Sequence, residues 1–334
     1  MMEVIIPSCN TENMMLNIRT VSIVIPVKNE ALSIIDLLES LISQSLLPSE
    51  IIIVDSGSTD LTTDLIEEAV HKGTNGINVL IIRNPGGLPG ANRNLGVAAA
   101  SSEWIAFIDA GIIPCSDWLA ELCSSAIDTN SKSIFGVCHF DSYTAFEMAV
   151  CALSYGCGSR RPVLPASLFH CSVFERVGLF REDLRAAEDI LWLRDLDRVY
   201  GPRVICDNAL VYYCQFPNNV RSVVIKWWVY TQNTANAGMY RSRIWLLPSS
   251  FFLLAYLLVL SPVLGFSLLS MYLVGRGIGD PIRRGNSIAW WIRKPMSAVI
   301  AVWLCLVIDI TKGLSVLFWG VGKLLKYLRI VLAT

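Results

Sequence analysis

Charge is scarce in this chain. Asp, Glu, Lys and Arg make up 16% of its 334 residues and hydrophobic residues 53%, a balance too apolar for an ordinary soluble protein and one that points to membrane contact. The formal net charge is -1, so no global basic field argues for nucleic acid as a partner. Histidine is rarer still: His71, His139 and His170 fall near no metal-ligand spacing, and the ten cysteines contain no C-x-x-C pair, which argues against zinc. Cysteines such as Cys138 and Cys171 lie inside apolar runs, where a free thiol behaves as a small core hydrophobe, and this predicts a reducing, cytoplasmic setting. The first twenty residues carry an acid at Glu3 and lack both a basic n-region and a long apolar core, so no signal peptide is predicted. No G-x-G-x-x-G follows the first apolar run, which disfavours a nicotinamide enzyme.

What the first two hundred residues do contain is an alternation of strand and helix patterns. "VSIVIP" (Val21 to Pro26), "EIIIVD", "INVLII" and "EWIAFID" read as buried strands; the segment after Asn29, Thr59 to Val70, and Pro89 to Ala100 read as helices. Repeated β-α units with short connections predict a parallel, doubly wound sheet with helices on both faces, and ligands of such sheets bind at the strands' C-terminal ends. The residues there are informative. Pro26, Lys28, Asn29 and Glu30 follow the first strand, and "VDSGSTD" (Val54 to Asp60) follows the second. Asp55 is suited to accept hydrogen bonds from a base or ribose, while Ser58 and Thr59 are equally suited to cap the next helix. The fourth strand runs into Asp109 and then Ala110 and Gly111, which reads either as a presented acid or as a plain turn. In "RAAEDILW" the acids Glu188 and Asp189 either serve chemistry or complement a helix dipole.

Four phrases in order, "VSIVIPVKNE", "IIIVDSGSTD", "GANRNLGVAAASSEWIAFIDAG" and "FERVGLFREDLRAAEDILWLRDL", resemble glycosyltransferase family 2, the inverting enzymes of GT-A fold. The resemblance runs from Val21 to Tyr213. It implies an α/β domain with a Rossmann-like mixed sheet and flanking helices, and a nucleotide-sugar donor. It also implies that Pro26, Glu30 and Asp55, with Ser56 and Gly57, hold the nucleotide, that Arg93 lines the donor side, and that Asp109 stands at the metal and diphosphate position. By the same resemblance Asp189 is the base that takes the acceptor's proton, with Glu188 sharing the acceptor end. The family's metal motif is Asp-x-Asp, and here Gly111 replaces the second acid. One carboxylate plus substrate phosphates suffices for a hard cation such as Mg²⁺ or Mn²⁺, so the expected metal arrives with the donor. The same departure motivates the rival reading, a noncatalytic membrane scaffold that keeps the fold to bind a nucleotide, sugar or partner. A retained base favours a hydroxyl acceptor on a membrane-linked glycan or lipid, because a polyprenyl phosphate is already an anion. The Q-x-x-R-W motif of processive synthases is absent.

The apolar excess concentrates in the tail. The expected organisation is an N-terminal extension (1–20), a catalytic domain (21–215), an interfacial amphipathic helix (216–245) carrying Arg221, Lys226, Trp227 and Trp228, and a membrane region (246–334). Residues 246–275 and 297–325 are long enough to span a bilayer. The cationic loop between them holds Arg276, Arg283, Arg284, Arg293 and Lys294, and the positive-inside rule keeps it on the cytoplasmic side with the head. That favours a hairpin broken near Pro262, followed by a last segment in which Asp309 and Lys312 form an internal pair or mark an interface.

Overall fold

The structure is a computed structural model that describes residues 18–140, 142–213, 215–239 and 244–331. Residues 1–17 of the expected N-terminal extension lie outside the described residues. The chain divides into two units, Met1–His139 with Arg160–Cys214, and Phe140–Ser159 with Gln215–Thr334.

The first unit opens with β1 (Val21–Val27), β2 (Glu50–Asp55) and β3 (Asn78–Arg83), joined through α1 (Ile34–Ile42) and α2 (Thr62–Lys72). Helix α1 buries Ile34, Leu37, Leu38 and Leu41, the spacing of one helical face. Next come α3 (Pro89–Ala99), β4 (Trp104–Phe107), β5 (Ile112–Pro114), α4 (Trp118–Thr129) and β6 (Ser133–Phe140). After α5 (Ala145–Ser154), which belongs to the second unit, the chain returns through β7 (Ser159–His170), α6 (Cys171–Val177), α7 (Glu188–Tyr200) and β8 (Val204–Tyr213).

The eight strands lie in the order β3-β2-β1-β4-β7-β6-β8-β5. The first four are parallel, with Val27 opposite Asp55 and Asp55 opposite Arg83. Strand β7 runs antiparallel to β4, and β5 antiparallel to β8. The sheet is therefore mixed, as the family resemblance implies, and not the wholly parallel one that periodicity alone predicts. Apolar periodicity reports which strands are buried but not which way they run. Beneath the sheet Phe107, Phe169, Phe174, Phe180 and Trp192 form a buried cluster. Phe107 meets Phe174 and Phe180 edge to face at 6.0 and 5.7 Å, the geometry that ring quadrupoles favour. Cys171, expected as a thiol, is disulfide-bonded.

The second unit comprises α5, α8 (Val220–Asn236), α9 (Leu246–Leu260), α10 (Pro262–Tyr272), a π-helical stretch (Leu273–Gly279), α11 (Asp280–Arg283), α12 (Ile288–Arg293) and α13 (Pro295–Val331). The break at Ser261, with Pro262 opening α10, divides the first apolar run into the two helices that a hairpin requires. Two helical stretches, Pro262–Arg283 and Pro295–Leu325, are long and apolar enough to cross a membrane. Helix α8 packs on α13: Trp228 meets Phe318 at 5.3 Å, Gln232 Nε2 donates to the Ser315 carbonyl at 2.6 Å, and Trp319 Nε1 donates to Asn236 Oδ1 at 2.8 Å. Trp228 thus faces a neighbouring helix.

His170 ends β7 and caps α6, its Nδ1 accepting from Ser172 N at 3.2 Å, with the ring edge-on to Trp104 at 5.2 Å. Burial, and then the nearby Lys132, hold its pKa below the ordinary 6.5. On acidification the unfolded chain binds this proton first, so the contribution to stability is full above pH 6.5 and falls as pH drops through 6.5 towards the lower folded value. Urea unfolding across pH 7.5 to 5 should show this loss, and His170→Asn, which cannot titrate, should flatten it; an unchanged slope in the variant would contradict the assignment.

Candidate active site

Helix α3 is the hub of the site. Its sequence "PGANRN" places three polar residues in a row, and Asn92, Arg93 and Asn94 are all buried. Each reaches a different loop. Asn92 Nδ2 donates to Ser56 Oγ after β2, while its Oδ1 accepts from Asn84 Nδ2 at 2.8 Å after β3. Asn94 Nδ2 donates to the Phe180 carbonyl and to Glu182 Oε1, both at 2.9 Å, and its Oδ1 accepts from Phe180 N at 2.9 Å. The helix sits this close because Gly90 and Gly96 carry no Cβ: one at Gly90 would lie 2.1 Å from the Arg181 carbonyl oxygen, and one at Gly96 would lie 2.2 Å from Val24 Cγ1.

Arg93 occupies the centre. Its Nη1 pairs with Glu188 Oε1 at 2.6 Å and its Nη2 with Asp109 Oδ1 at 3.0 Å. The guanidinium carbon lies 5.8 Å from the centre of the Phe180 ring. Burial weakens the Arg93 cation, but Asp109, Glu188 and Asp189 outweigh it and raise the pKa further. Among the described residues, two buried atoms of this pair, Arg93 Nε and Glu188 Oε2, have no hydrogen-bond partner.

The two acids at the start of α7 differ. Glu188 is 5% exposed; its pKa is raised by burial first, opposed by Arg93 and reinforced by Asp189. Asp189 is half-buried and, among the described residues, forms no ion pair; its Oδ1 accepts from Ile190 N at 2.8 Å. The preceding residue, Ala187, has φ 71° and ψ 7°, a left-handed conformation that costs a non-glycine residue stability and often marks functional sites. Both acids do stand at a helix N-terminus, so dipole and site explanations coexist here.

The nucleotide-side residues gather on two stitched loops. Asn29, itself left-handed at φ 55°, accepts from Thr59 N through Oδ1 at 2.8 Å, and its N donates to Ser58 Oγ at 2.9 Å. Glu30 N donates to Thr62 Oγ1 at 2.7 Å. Because this lacing holds residues 56–61 as a loop, α2 begins at Thr62, and neither Ser58 nor Thr59 is its N-cap. Asp55 is 3% exposed, and its carboxylate accepts from Gly57 N at 3.1 Å, Ser58 N at 3.0 Å and Ser58 Oγ at 2.6 Å. Pro26 is half-buried near the end of β1. Glu30 has its pKa raised by burial and by repulsion from Asp109 and Asp60, against a hydrogen bond from Ser33 Oγ at 2.7 Å. That repulsion puts Asp109 within electrostatic reach of Glu30. The Asp109 side chain is 40% exposed, and its only ion pair among the described residues is with Arg93.

Among the described residues no group of three or more His, Cys, Asp or Glu is arranged to hold a metal ion. Asp109 offers one hard oxygen ligand beside Gly111. This donor set fits a divalent cation that completes its shell with substrate phosphates, and does not fit one held by protein alone.

Residues 22–183, just under half of the chain, match the family Glycosyl transferase family 2. It is similar to the putative glycosyltransferase EpsH of Bacillus subtilis, with 39% identity over 110 residues, 33% of this chain and 30% of that protein. It is also similar to the uncharacterized glycosyltransferase EpsJ of the same organism, with 28% identity over 229 residues, 62% of this chain and 64% of that protein. The chain thus spans less than two thirds of the length of these relatives. In fold it resembles the mannosyltransferase PcManGT from Pyrobaculum calidifontis, solved with GDP-Man and Mn²⁺, at a TM-score of 0.56 and 16% identity over 88% of this chain and 86% of that one. The fold is GT-A.

The strain at Ala187 is directly measurable. Ala187→Gly should stabilise the protein by about 1 kcal/mol, since glycine adopts positive φ without penalty. A loss of stability in denaturant unfolding would show that the left-handed turn is not strained.

Proposed function

We propose that this protein is an inverting glycosyltransferase, moving a sugar from a nucleotide-sugar donor to a hydroxyl on a membrane-linked glycan or lipid. The observation that carries the reading is the buried Arg93, which ties Asp109 at the end of β4 to Glu188 beside the unpaired Asp189. Inversion at an anomeric carbon requires a base on the face opposite the leaving diphosphate. Asp189 is accessible and unpaired, so it takes the acceptor's proton. Glu188, buried and bonded to Arg93, positions that arginine. Arg93 and Asp109 mark the diphosphate end, and the loops bearing Pro26, Glu30, Asp55, Ser56 and Gly57 receive the nucleotide. A divalent cation arriving with the donor would offset the charge of the departing diphosphate, and Asp109 would be its protein ligand.

In this reading residues 21–215 are the catalytic head, and the C-terminal unit holds it at the cytoplasmic face. The support is the break at Ser261 between the apolar helices Leu246–Leu260 and Pro262–Arg283, which lets the chain return to the side of the head before the cationic turn and Pro295–Leu325. A hydroxyl acceptor follows from the unpaired base, since an anionic phosphate acceptor has no need of one.

Asp189→Asn should lower turnover about 10²-fold or more while leaving donor affinity near that of the wild type. Steady-state kinetics with a nucleotide-sugar panel, paired with calorimetry of nucleotide binding, checks this; unchanged turnover would remove Asp189 from the mechanism, and binding without any turnover would favour the noncatalytic scaffold.

The metal reading has its own test. Mn²⁺ and a nucleoside diphosphate should each bind weakly alone and tighter together, by the same factor in both directions. Asp109→Ala should abolish that coupling; equal coupling in the variant would make Asp109 a turn residue only.

A further inference from the structure

Two rings at the ligand-binding edge of the sheet have no part in the site described so far. His139 is the second-last residue of β6 and Tyr212 the second-last of β8, and their rings meet edge to face at 5.8 Å. Strand β6 runs antiparallel to β7. The Lys132 carbonyl accepts from His170 N at 2.9 Å, while a Cβ at Gly136 would lie 2.4 Å from the Ala166 carbonyl oxygen, so one number falls as the other rises. Strand β7 is antiparallel to β4 in turn, and β6 therefore ends at the same edge as β4 and Asp109. Strand β5 brings Tyr212 to that edge independently. Tyr212 stands opposite Ile113, just beyond the tight turn in which Ile112 N donates to the Asp109 carbonyl at 3.1 Å.

The face is fixed as well. Side chains alternate along a strand, so His139 shares a face with Phe135. Phe135 meets Phe169 at 5.5 Å, and Phe169 meets Trp192 of α7 at 5.2 Å; this is the face that α7 covers. Helix α7 begins at the same edge, because Glu188 is bonded to the Arg93 that also holds Asp109. Asp189, in the first turn of α7, thus stands over the end of the face that carries His139 and Tyr212.

Neither ring is spent on the core. Tyr212 is 40% exposed, whereas Ala209 and Val211 on the opposite face of β8 are buried. Among the described residues His139 Nδ1 is enclosed and has no hydrogen-bond partner, while Nε2 is not enclosed in this way. Buried N–H groups without a partner are rarer than acceptors without one, so in the neutral ring the proton sits on Nε2. The pair offers a flat apolar ring beside one unspent N–H donor.

We propose that His139 and Tyr212 form the subsite for the sugar unit that carries the acceptor hydroxyl. Tyr212 stacks on the C–H face of that sugar, and His139 Nε2 donates to one of its hydroxyl oxygens. A sugar supplies both parts, an apolar ring face and a rim of oxygens, and sites of this kind pair aromatic walls with a few placed polar groups. The alcohol of a plain lipid chain has no ring face to stack. The inference rests on the transfer reading and selects a glycan from the two acceptor classes which that reading allows.

The test is saturation-transfer NMR on the full chain in nanodiscs, with the methyl pyranosides of glucose, galactose, mannose and N-acetylglucosamine as probes. At least one should bind the wild type. Tyr212→Ala should weaken that binding about tenfold, the scale of a lost aromatic stack, and Tyr212→Phe, which keeps the ring, should not. His139→Leu should weaken it about fivefold, the loss of one hydrogen bond, and His139→Gln, which restores an N–H donor at similar reach, should recover it. No glycoside binding, or binding that Tyr212→Ala and His139→Leu leave unchanged, would overturn the subsite. Hydrolysis of nucleotide sugars by the wild type tests the transfer reading separately. Hydrolysis with glycoside binding insensitive to these variants would overturn the subsite alone; sensitive binding without hydrolysis would support a sugar site but remove the acceptor role given to it.

Discussion

A buried guanidinium governs this site. Arg93 is 4% exposed, and a cation so placed is tolerated only when its charge is answered at close range; removing one partner of such a pair typically costs about 3 to 5 kcal/mol. Glu188 and Asp109 give that answer from two different elements, the start of α7 and the end of β4. Neither acid can be moved without stranding the arginine. The close seating of α3 through Gly90 and Gly96, the aromatic floor under Arg93 and the left-handed Ala187 all serve to bring those elements to one point.

From this constraint the division of labour among the acids follows. A carboxylate locked to a buried cation is a poor proton acceptor but a good positioner, and a carboxylate left unpaired beside it is free to act. The structure assigns the first condition to Glu188 and the second to Asp189. At the ends of the first two strands the same logic makes Asp55 an organiser: its oxygens hold the turn of Gly57 and Ser58, the loop that the proposed reading gives to the nucleotide. The polar lacing between the first two β-α loops leaves little for a ligand to reorganise on arrival, which is how affinity and orientation are preserved together.

Much of the first sheet was legible because its strands are short apolar runs ended by polar turns, and the helix periods of α1 and α3 were clear. Strand direction beyond β4 was not, since an antiparallel return has the same apolar pattern as a parallel one. Of the site, Asp109, Glu188 and Asp189 were visible as acids at strand and helix ends, yet the pairing of Asp109 and Glu188 with Arg93 was hidden: the partners are 16 and 95 residues away. Asn92 and Asn94 were missed altogether. Their signal was present, as consecutive polar residues in a helix whose neighbours are small and apolar, a pattern that a solvent-facing helix does not require. In the tail, composition revealed the apolar length, and the internal pair of Asp309 and Lys312 is found, but Arg276 and Tyr272 also converge on Asp309, which spacing alone could not show.

The central claim, that Arg93 and Glu188 act as one buried unit, is most directly tested by a double-mutant cycle. Unfolding free energies of the full chain in detergent would be measured for the wild type, Arg93→Met, Glu188→Gln and the double variant. The account predicts that each single change is severely destabilising and that the double variant is less destabilised than their sum by about 1.5 kcal/mol or more, because the second change relieves a stranded charge. Additive losses, with no coupling between the two positions, would contradict it.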